Sequence, residues 1–147
     1  MATYDIFIEP LPRAKQTAGR IFTFSYAKTV GIKGPRKLAM RFLKCLLTPK
    51  GSDLMDSEYG TIFPDLINSN YGDINDVLGQ IRMAVSDCAD QVKALDESAG
   101  LPSRERLSSA TITKSQATDT DGVDVYVTLT NQAGERLVTL LPVLDTR

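Results

Sequence analysis

The apolar positions of the chain repeat with two different periods, and the change falls near Pro102. From residue 73 to 98 they recur every three or four residues, which is the spacing of the buried face of an amphipathic helix. Asp73 suits the N-cap of this helix, and Gly100 suits its C-terminal end. We therefore predict one long helix. Its predicted buried face contains Ile74, Val77, Leu78, Ile81, Val85, Cys88, Val92 and Leu95.

Beyond Pro102 the apolar residues alternate with polar ones, as they do in strands with one buried and one wetter face. Turn sequences rich in Asp, Asn and Gly separate three such runs, which predicts an antiparallel meander. The predicted strands cover residues 107 to 113, 123 to 130 and 136 to 144. Pro142 near the end of the third run favours an edge position for that strand.

Two shorter helical patterns precede the long helix. Pro35 lies where a first helical turn would begin, and a stretch of about residues 36 to 47 follows with one apolar face. Residues 63 to 67 predict a further helical turn. The predicted fold class is α+β, with two to three helices packed on a small antiparallel three-stranded C-terminal sheet. The apolar face of the first helix consists of Leu38, Phe42, Cys45 and Leu46.

The N-terminal segment has no regular period. A short apolar run from residue 4 to 8 ends at Pro10, and it suits either an edge strand or an extended arm; we interpret it as an arm. With 147 residues and 42% apolar content, the chain is long enough for one domain with its own core. That single domain divides into an N-terminal arm and irregular segment (1 to 34), a helical part (35 to 100) and a β-meander (101 to 147).

The composition removes several kinds of chemistry. The chain has no histidine, which excludes Ser-His-Asp triads and imidazole acid-base catalysis. Cys45 and Cys88 lie in apolar surroundings, so we expect buried, reduced thiols and no zinc site. A carboxylate pair such as Asp53 with Glu58 remains as a catalytic possibility, but acids in turn-rich loops are usually turn formers. We predict no enzyme activity and no cofactor.

Charge is distributed unevenly along the chain. Residues 1 to 50 contain ten Lys or Arg and two acids, whereas residues 51 to 105 contain three bases and eleven acids. Such a division favours one orientation when a subunit docks in an assembly. The bases are scattered and no nucleic-acid motif accompanies them, so we do not expect nucleic-acid binding. With no long apolar run and an acidic N-terminus, we expect neither a membrane span nor a signal peptide.

A motif occupies the region between the first two predicted helices. It reads Leu47-Thr48-Pro49-Lys50-Gly51, then Ser57-Glu58-Tyr59-Gly60, then Phe63-Pro64-Asp65-Leu66. This order resembles the baseplate wedge proteins of contractile phage tails, also called the baseplate assembly protein W or sheath-initiator family, which has a lysozyme-like name without expected lysozyme activity. The resemblance extends from about residue 36 to 144. Its signature loop residues here are Pro49, Gly51, Tyr59 and Gly60.

One part of the family pattern is broken. The family usually has a glutamate-proline-arginine triplet before its first core strand, and this chain has Ser103-Arg104-Glu105-Arg106-Leu107 there. Arg106 is the best match to the family arginine, and Arg104 is the alternative. The resemblance therefore implies a contact with the wedge core through Arg106, Arg104 and Glu105.

The resemblance also implies a function. A protein of this family is a structural subunit that joins the wedge core to the first sheath ring and templates sheath assembly. The implied partners are the tail sheath protein, other wedge proteins and the tail tube or hub, with six copies per baseplate or a multiple, in a virion assembled in the host cytoplasm. The sheath would dock on the third strand, where we select Arg136, Val138, Leu140 and Val143.

Two alternatives stay open at this point. Type VI secretion systems use a similar baseplate subunit, and the sequence does not distinguish the two machines. An adaptor that binds a cellular protein through the same sheet edge would have the same strand pattern.

Overall fold

A computed structural model describes residues 6–10, 22–26, 33–67, 73–117 and 122–144. Two strands, three helices and three more strands follow one another along the chain: β1 (Ile6–Pro10), β2 (Phe22–Tyr26), α1 (Pro35–Leu47), α2 (Phe63–Ile67), α3 (Ile74–Ala99), β3 (Leu107–Ala117), β4 (Gly122–Asn131) and β5 (Arg136–Leu144). A short 3₁₀ turn, Ser103–Glu105, precedes β3. This arrangement confirms the predicted α+β class, with helices and a three-stranded antiparallel C-terminal sheet.

The helix ends lie close to the predicted positions because the local signals are strong. Pro35 begins α1, where its fixed φ suits the first turn. The side chain of Asp73 caps α3 by accepting a hydrogen bond from the backbone N–H of Asn75 at 2.9 Å. Gly100 ends α3 in the left-handed conformation, with φ of 61°.

The buried face of α3 differs from the prediction in its last turn. Val77, Ile81, Val85, Cys88 and Val92 are buried as predicted, but Leu95 is 43% exposed. Asp96 is buried instead, at 1% exposure. Asp96 takes this position because its carboxylate binds groups on α1 and β3 that an apolar side chain could not satisfy.

The C-terminal sheet has the order β3-β4-β5, with both pairs antiparallel. The apolar face of β4 is directed at the helices and is buried, whereas the alternate positions are partly exposed. β3 extends to Ala117, four residues beyond the prediction, and has register shifts before Ser109 and before Lys114. The buried residues of β4 are Val123, Val125, Val127 and Leu129.

The core lies between this sheet and the three helices. α1 and α3 pack on each other and on the sheet, and α2 packs against both helices. The largest side chains with almost no exposure include Phe42 on α1, Phe63 on α2, and Ile81 on α3. Both cysteines are free and buried, as expected.

The N-terminal segment contains a hairpin where we interpreted an arm. β1 pairs with β2 in antiparallel register, from Ile6 opposite Tyr26 to Pro10 opposite Phe22. The two strands form a separate sheet, and β1 lies near α1 and β5. Residues 6–8 of the apolar run therefore belong to a strand and not to an arm. The rest of the predicted arm and irregular segment lies outside the described residues, apart from its last two positions.

Candidate functional site

The predicted docking strand, β5, is an edge of the C-terminal sheet. Among the described strands it pairs only with β4. Val138 lies opposite Thr128 and is 59% exposed, and Leu140 lies opposite Tyr126 and is partly exposed. Arg136 is exposed and belongs to the same alternate set of positions.

Val143 belongs to the other set of positions along β5. The register places its backbone opposite Val123, whose side chain is buried. The side chain of Val143 itself lies outside the described residues. We therefore define the docking surface of β5 by Arg136, Val138 and Leu140.

The outer face of the sheet continues this surface with ordered neighbours. The ammonium group of Lys114 lies 5.8 Å from the centre of the Tyr126 ring, which is within the range of a cation–π contact. The hydroxyl groups of Thr113 and Thr128 are 3.2 Å apart and share a hydrogen bond. These contacts order the outer face of β3 and β4, beside the docking surface of β5.

A second feature connects α1 and α3 to the start of β3, and we call it the polar junction: Lys37, Arg41, Asp96 and Glu105. The buried carboxylate of Asp96 accepts hydrogen bonds from the guanidinium of Arg41 and, at 2.7 Å, from the backbone N–H of Leu107. Arg41 also donates to the backbone carbonyl of Glu105 at 3.2 Å. The junction thus fixes where the first core strand begins.

Glu105, predicted as part of the wedge contact, is an internal residue of this junction. It is only 7% exposed. One carboxylate oxygen accepts from the backbone N–H of Gly34 at 3.2 Å, and the other lies 3.4 Å from the ammonium of Lys37. Glu105 therefore holds the start of α1 against the turn before β3, which leaves little of it for a partner.

Arg104 and Glu135 form a two-pronged ion pair beside the junction. The guanidinium donates to the two carboxylate oxygens at 2.8 and 3.0 Å. The hydrogen bond from Arg104, and a second one from Asn131, lower the pKa of Glu135 below its ordinary value. Asn131 is buried and also donates to the backbone carbonyl of Arg104 at 2.9 Å. The ion pair therefore connects the β4–β5 turn to the segment just before β3.

Arg106 differs from Arg104 and Glu105 because one buried N–H group of its side chain makes no hydrogen bond within the described residues. The residue is partly buried, and its Nε is buried without a hydrogen-bond partner within the described residues. Its backbone carbonyl accepts from the N–H of Gln132 at 3.0 Å. The three predicted wedge-contact residues are adjacent in the chain, and Arg106 is the one whose guanidinium has a buried donor without a partner in the described residues.

The signature motif folds into an ordered loop, residues 48–61, which we call the clamped loop. Its two ends meet in a parallel bridge between Pro49 and Thr61. The side-chain amide of Gln91 on α3 binds both backbone groups of Gly60, with distances of 3.0 Å to the N–H and 2.9 Å to the carbonyl. Gly60 therefore fixes the loop to α3.

Gly60 is at a position that only glycine fits. Its φ is 103°, and an added Cβ would lie 2.5 Å from the carbonyl oxygen of Thr48. Gly51, another signature residue, has a φ of 82° and more space around it. The signature glycines are thus explained by backbone geometry, without a partner.

Tyr59 also has an internal role. It is partly buried and packs against the core cluster. Burial, and then the proximity of the thiols of Cys45 and Cys88, raise the pKa of Tyr59 to about 12. The phenol is neutral at physiological pH, in keeping with a packing role.

The two carboxylates considered for catalysis lie on the clamped loop. Asp53 accepts a hydrogen bond from the backbone N–H of Met55 at 2.8 Å, which is a turn-forming contact. Glu58 has an 83% exposed side chain and pairs with Lys50 at 3.7 Å. Their positions are those of turn and surface residues. Within the described residues, no group of three or more His, Cys, Asp or Glu side chains is arranged to hold a metal ion.

Sequence reasoning missed the residues that hold these features together. The partners that reveal these roles lie between 27 and 64 positions away in the chain, so no local spacing identifies the residues. They are Arg41, Gln91, Asp96 and Asn131. Asp96 did carry a signal, because it is an acid four residues after Val92 on an apolar stripe. Such an acid needs a buried partner.

Comparisons with family models, with curated proteins and with solved structures find no match for this chain. Among the described helices, none combines the length and the apolar character that crossing a membrane requires.

Proposed function

We propose that this chain is a structural subunit of a contractile phage tail baseplate, which joins the wedge core to the first sheath ring and templates sheath assembly. The proposal rests first on the exposed edge strand. β5 carries Val138 at 59% exposure on an edge that no described strand covers. The motif of the clamped loop, followed by a long helix and a small sheet, supports the same family of functions.

The physical mechanism is strand addition at β5. An edge strand has backbone N–H and C=O groups that can extend the ladder with a segment of another chain. Backbone hydrogen bonds supply affinity, and contacts with Val138 and Leu140 set the register of the incoming strand. β1 comes near β5 without entering its ladder, so those backbone groups remain for a strand from a sheath subunit.

The wedge core would bind at the segment before β3. There the Arg106 side chain is only partly buried, and a carboxylate of a wedge protein would pair with its guanidinium. Glu105 and Arg104 act behind it, since their side chains hold the segment in place. Six copies of the chain, or a multiple, would form the ring in the virion.

The test is co-expression with the sheath and wedge proteins encoded at the same locus, followed by size exclusion and negative-stain microscopy. We expect complexes from which sheath polymerises. Val138→Asp with Leu140→Asp should abolish polymerisation, because charges on the docking surface oppose strand addition. The matched control is Thr111→Asp, an exposed position on β3 at the other edge of the sheet.

Circular dichroism checks that the variants are folded. We expect them to fold, because the side chain of Val138 is largely exposed. A second pair, Val138→Pro with Leu140→Pro, tests the ladder itself by removing backbone donors. Sheath assembly that proceeds with both pairs would contradict docking at β5. A chain that stays monomeric in the presence of both partner proteins would overturn the baseplate proposal and favour an adaptor that binds a cellular protein.

A further inference from the structure

The tip of the clamped loop exposes two large apolar side chains side by side. Leu54 and Met55 are 101% and 96% exposed. Single exposed apolar residues are ordinary on protein surfaces. Two adjacent ones with no contact to their own fold are different, because neither contributes to the core and both are fully hydrated. This pair is available to a partner as the chain stands.

The tip is ordered on both sides of this pair. The carboxylate of Asp53 accepts from the N–H of Met55 at 2.8 Å, and that of Asp56 accepts from the N–H of Glu58 at 3.0 Å. Below the tip, Gln91 fixes Gly60 to α3. A loop that is already ordered loses less conformational entropy when it binds, so the apolar contact yields more affinity.

The charge around the tip restricts the partner. Asp53, Asp56 and Glu58 surround the apolar pair, and Lys50 pairs with Glu58 at the base of the loop. An anionic lipid surface or a phosphate backbone would be repelled by these carboxylates. A protein pocket with an apolar floor and a rim of Lys or Arg complements both features.

The tip also lies apart from the polar junction. The clamped loop follows the C-terminal end of α1, whereas the polar junction binds Gly34, Lys37 and Arg41 in the first half of α1. A helix of 13 residues is about 20 Å long, so the two sites lie at opposite ends of it. A protein bound at Arg106 does not by that contact reach the tip.

We propose that residues 53–56 are a docking knob, which inserts Leu54 and Met55 into an apolar, basic-rimmed pocket on a neighbouring protein of the assembly. The inference rests on the proposed baseplate function, since it takes the neighbour to be a sheath or wedge protein. It adds a third contact to those at β5 and Arg106.

The first experiment is site-specific photo-crosslinking in complexes of the full chain with co-expressed sheath and wedge proteins. A photoreactive residue replaces Leu54 in one sample and Met83 in another. Met83 is the matched control, because it is an apolar residue 67% exposed on α3, outside the loop. We expect a crosslink to one partner from position 54 and none from position 83.

The second experiment measures affinity for that partner. Leu54→Ser with Met55→Ser should weaken binding about ten- to a hundredfold, as the loss of a buried apolar side chain does, and Met83→Ser should leave it unchanged. Asp53→Asn with Asp56→Asn retains the side-chain oxygens of the turns and removes their charge. These variants should weaken binding at low salt and reduce its dependence on salt.

The outcomes separate the two proposals. If the chain enters the complex but position 54 does not crosslink, the knob is wrong and the baseplate function stands. If the chain enters no complex, both are overturned. A third experiment is flotation with vesicles of phosphatidylcholine and phosphatidylserine. Vesicle binding that requires Leu54 would show that the tip binds a lipid surface, and it would contradict the proposed protein pocket.

Discussion

The clamped loop and the docking surface of β5 are both selected by the resemblance to baseplate wedge proteins, but the fold uses them differently. In the loop, both backbone groups of Gly60 are bound by Gln91, and Tyr59 packs against the core. On β5, Val138 is 59% exposed and Leu140 partly so. Gly60 and Tyr59 of the loop contribute to the fold, whereas the side chain of Val138 on β5 is mostly exposed and contributes little to it.

This difference shows how a family motif divides into structural and binding parts. A glycine at φ of 103° against a carbonyl oxygen is required in any protein with this loop, whatever it binds. An exposed valine on an edge strand has no such internal requirement. Changes at Gly60 and Tyr59 should therefore alter stability, and changes at Val138 should alter binding alone. The predictions below test this division.

The largest effect is expected from Gly60→Ala. The added methyl group would lie 2.5 Å from the carbonyl oxygen of Thr48, and alanine disfavours a φ of 103°. Backbone strain and the clash together should lower the free energy of unfolding by at least about 3 kcal/mol, a large share of the ~5–15 kcal/mol of a typical domain. Urea denaturation followed by circular dichroism measures the loss.

The matched control is Gly134→Ala. Gly134 in the β4–β5 turn has a φ of 84°, but an added Cβ there would meet no atom within 4 Å. Only the left-handed strain applies, so we expect a loss of about 1–2 kcal/mol. Equal losses for the two variants would show that the contact with Thr48 does not matter. Val138→Ser should stay within about 0.5 kcal/mol of the parent chain.

A somewhat smaller loss is expected from Asp96→Asn in the polar junction. The amide cannot accept hydrogen bonds at both of its atoms, so either Arg41 or the N–H of Leu107 loses its partner. Removing one member of a buried ion pair costs about 3 kcal/mol. Differential scanning calorimetry should show a lower Tm.

Glu58→Gln is the control for this prediction. It removes one charge from the exposed pair with Lys50, whose side chain is 44% exposed, and surface pairs contribute about 0–1 kcal/mol. If both substitutions have the same small effect, the junction is not a structural element, and its residues would be free to serve a partner.

The elements with a strong local period were predictable from the sequence. α1 begins one residue before its predicted start, α3 ends one residue after its predicted end, and β5 agrees at both ends. The alternation in β4 also identified its buried face. These features depend on neighbours three or four positions apart in a helix and two apart in a strand, so a single chain contains the information.

The rest depends on pairings across the chain. The prediction of an N-terminal arm missed the hairpin, because β1 and β2 are separated by residues 11–21 and no short turn sequence joins them. The prediction of Leu95 as a buried residue was wrong, because the partners of Asp96 lie 11 and 55 positions away. The helical spacing of apolar residues does not predict contacts with residues so far away in the chain.

The features of the candidate site likewise divide into those that the sequence predicts and those that depend on distant partners. The edge position of β5 was predicted from Pro142, and the exposure of Val138 follows from its alternation with Leu137. That Arg104 and Glu105 are engaged internally was not predictable, because Glu135 and Gly34, their partners, are 31 and 71 positions away. The sequence therefore did not show that Arg104 and Glu105 are bound within the fold, whereas the Nε of Arg106 is buried without a partner in the described residues.

The smallest effect on stability is expected from Tyr59→Phe, and it should be seen only at high pH. Its pKa is raised from the ordinary 10 to about 12, chiefly because burial disfavours the phenolate. Between these values the unfolded chain loses the Tyr59 proton while the folded chain keeps it. The stabilising contribution of the neutral phenol is complete below pH 10 and is lost as the pH rises through about 12.

Tyr59→Phe removes this contribution because phenylalanine has no proton to lose. At neutral pH the variant should unfold at nearly the parent's urea concentration, and its stability should fall less steeply than the parent's between pH 10 and 12. Val138→Ser should follow the parent at every pH, because the docking surface contains no part of this titration. Parallel pH curves for Tyr59→Phe and the parent would place Tyr59 in water. Tyr59 would then not contribute to packing, and it would be an exposed residue available to a partner, like Val138.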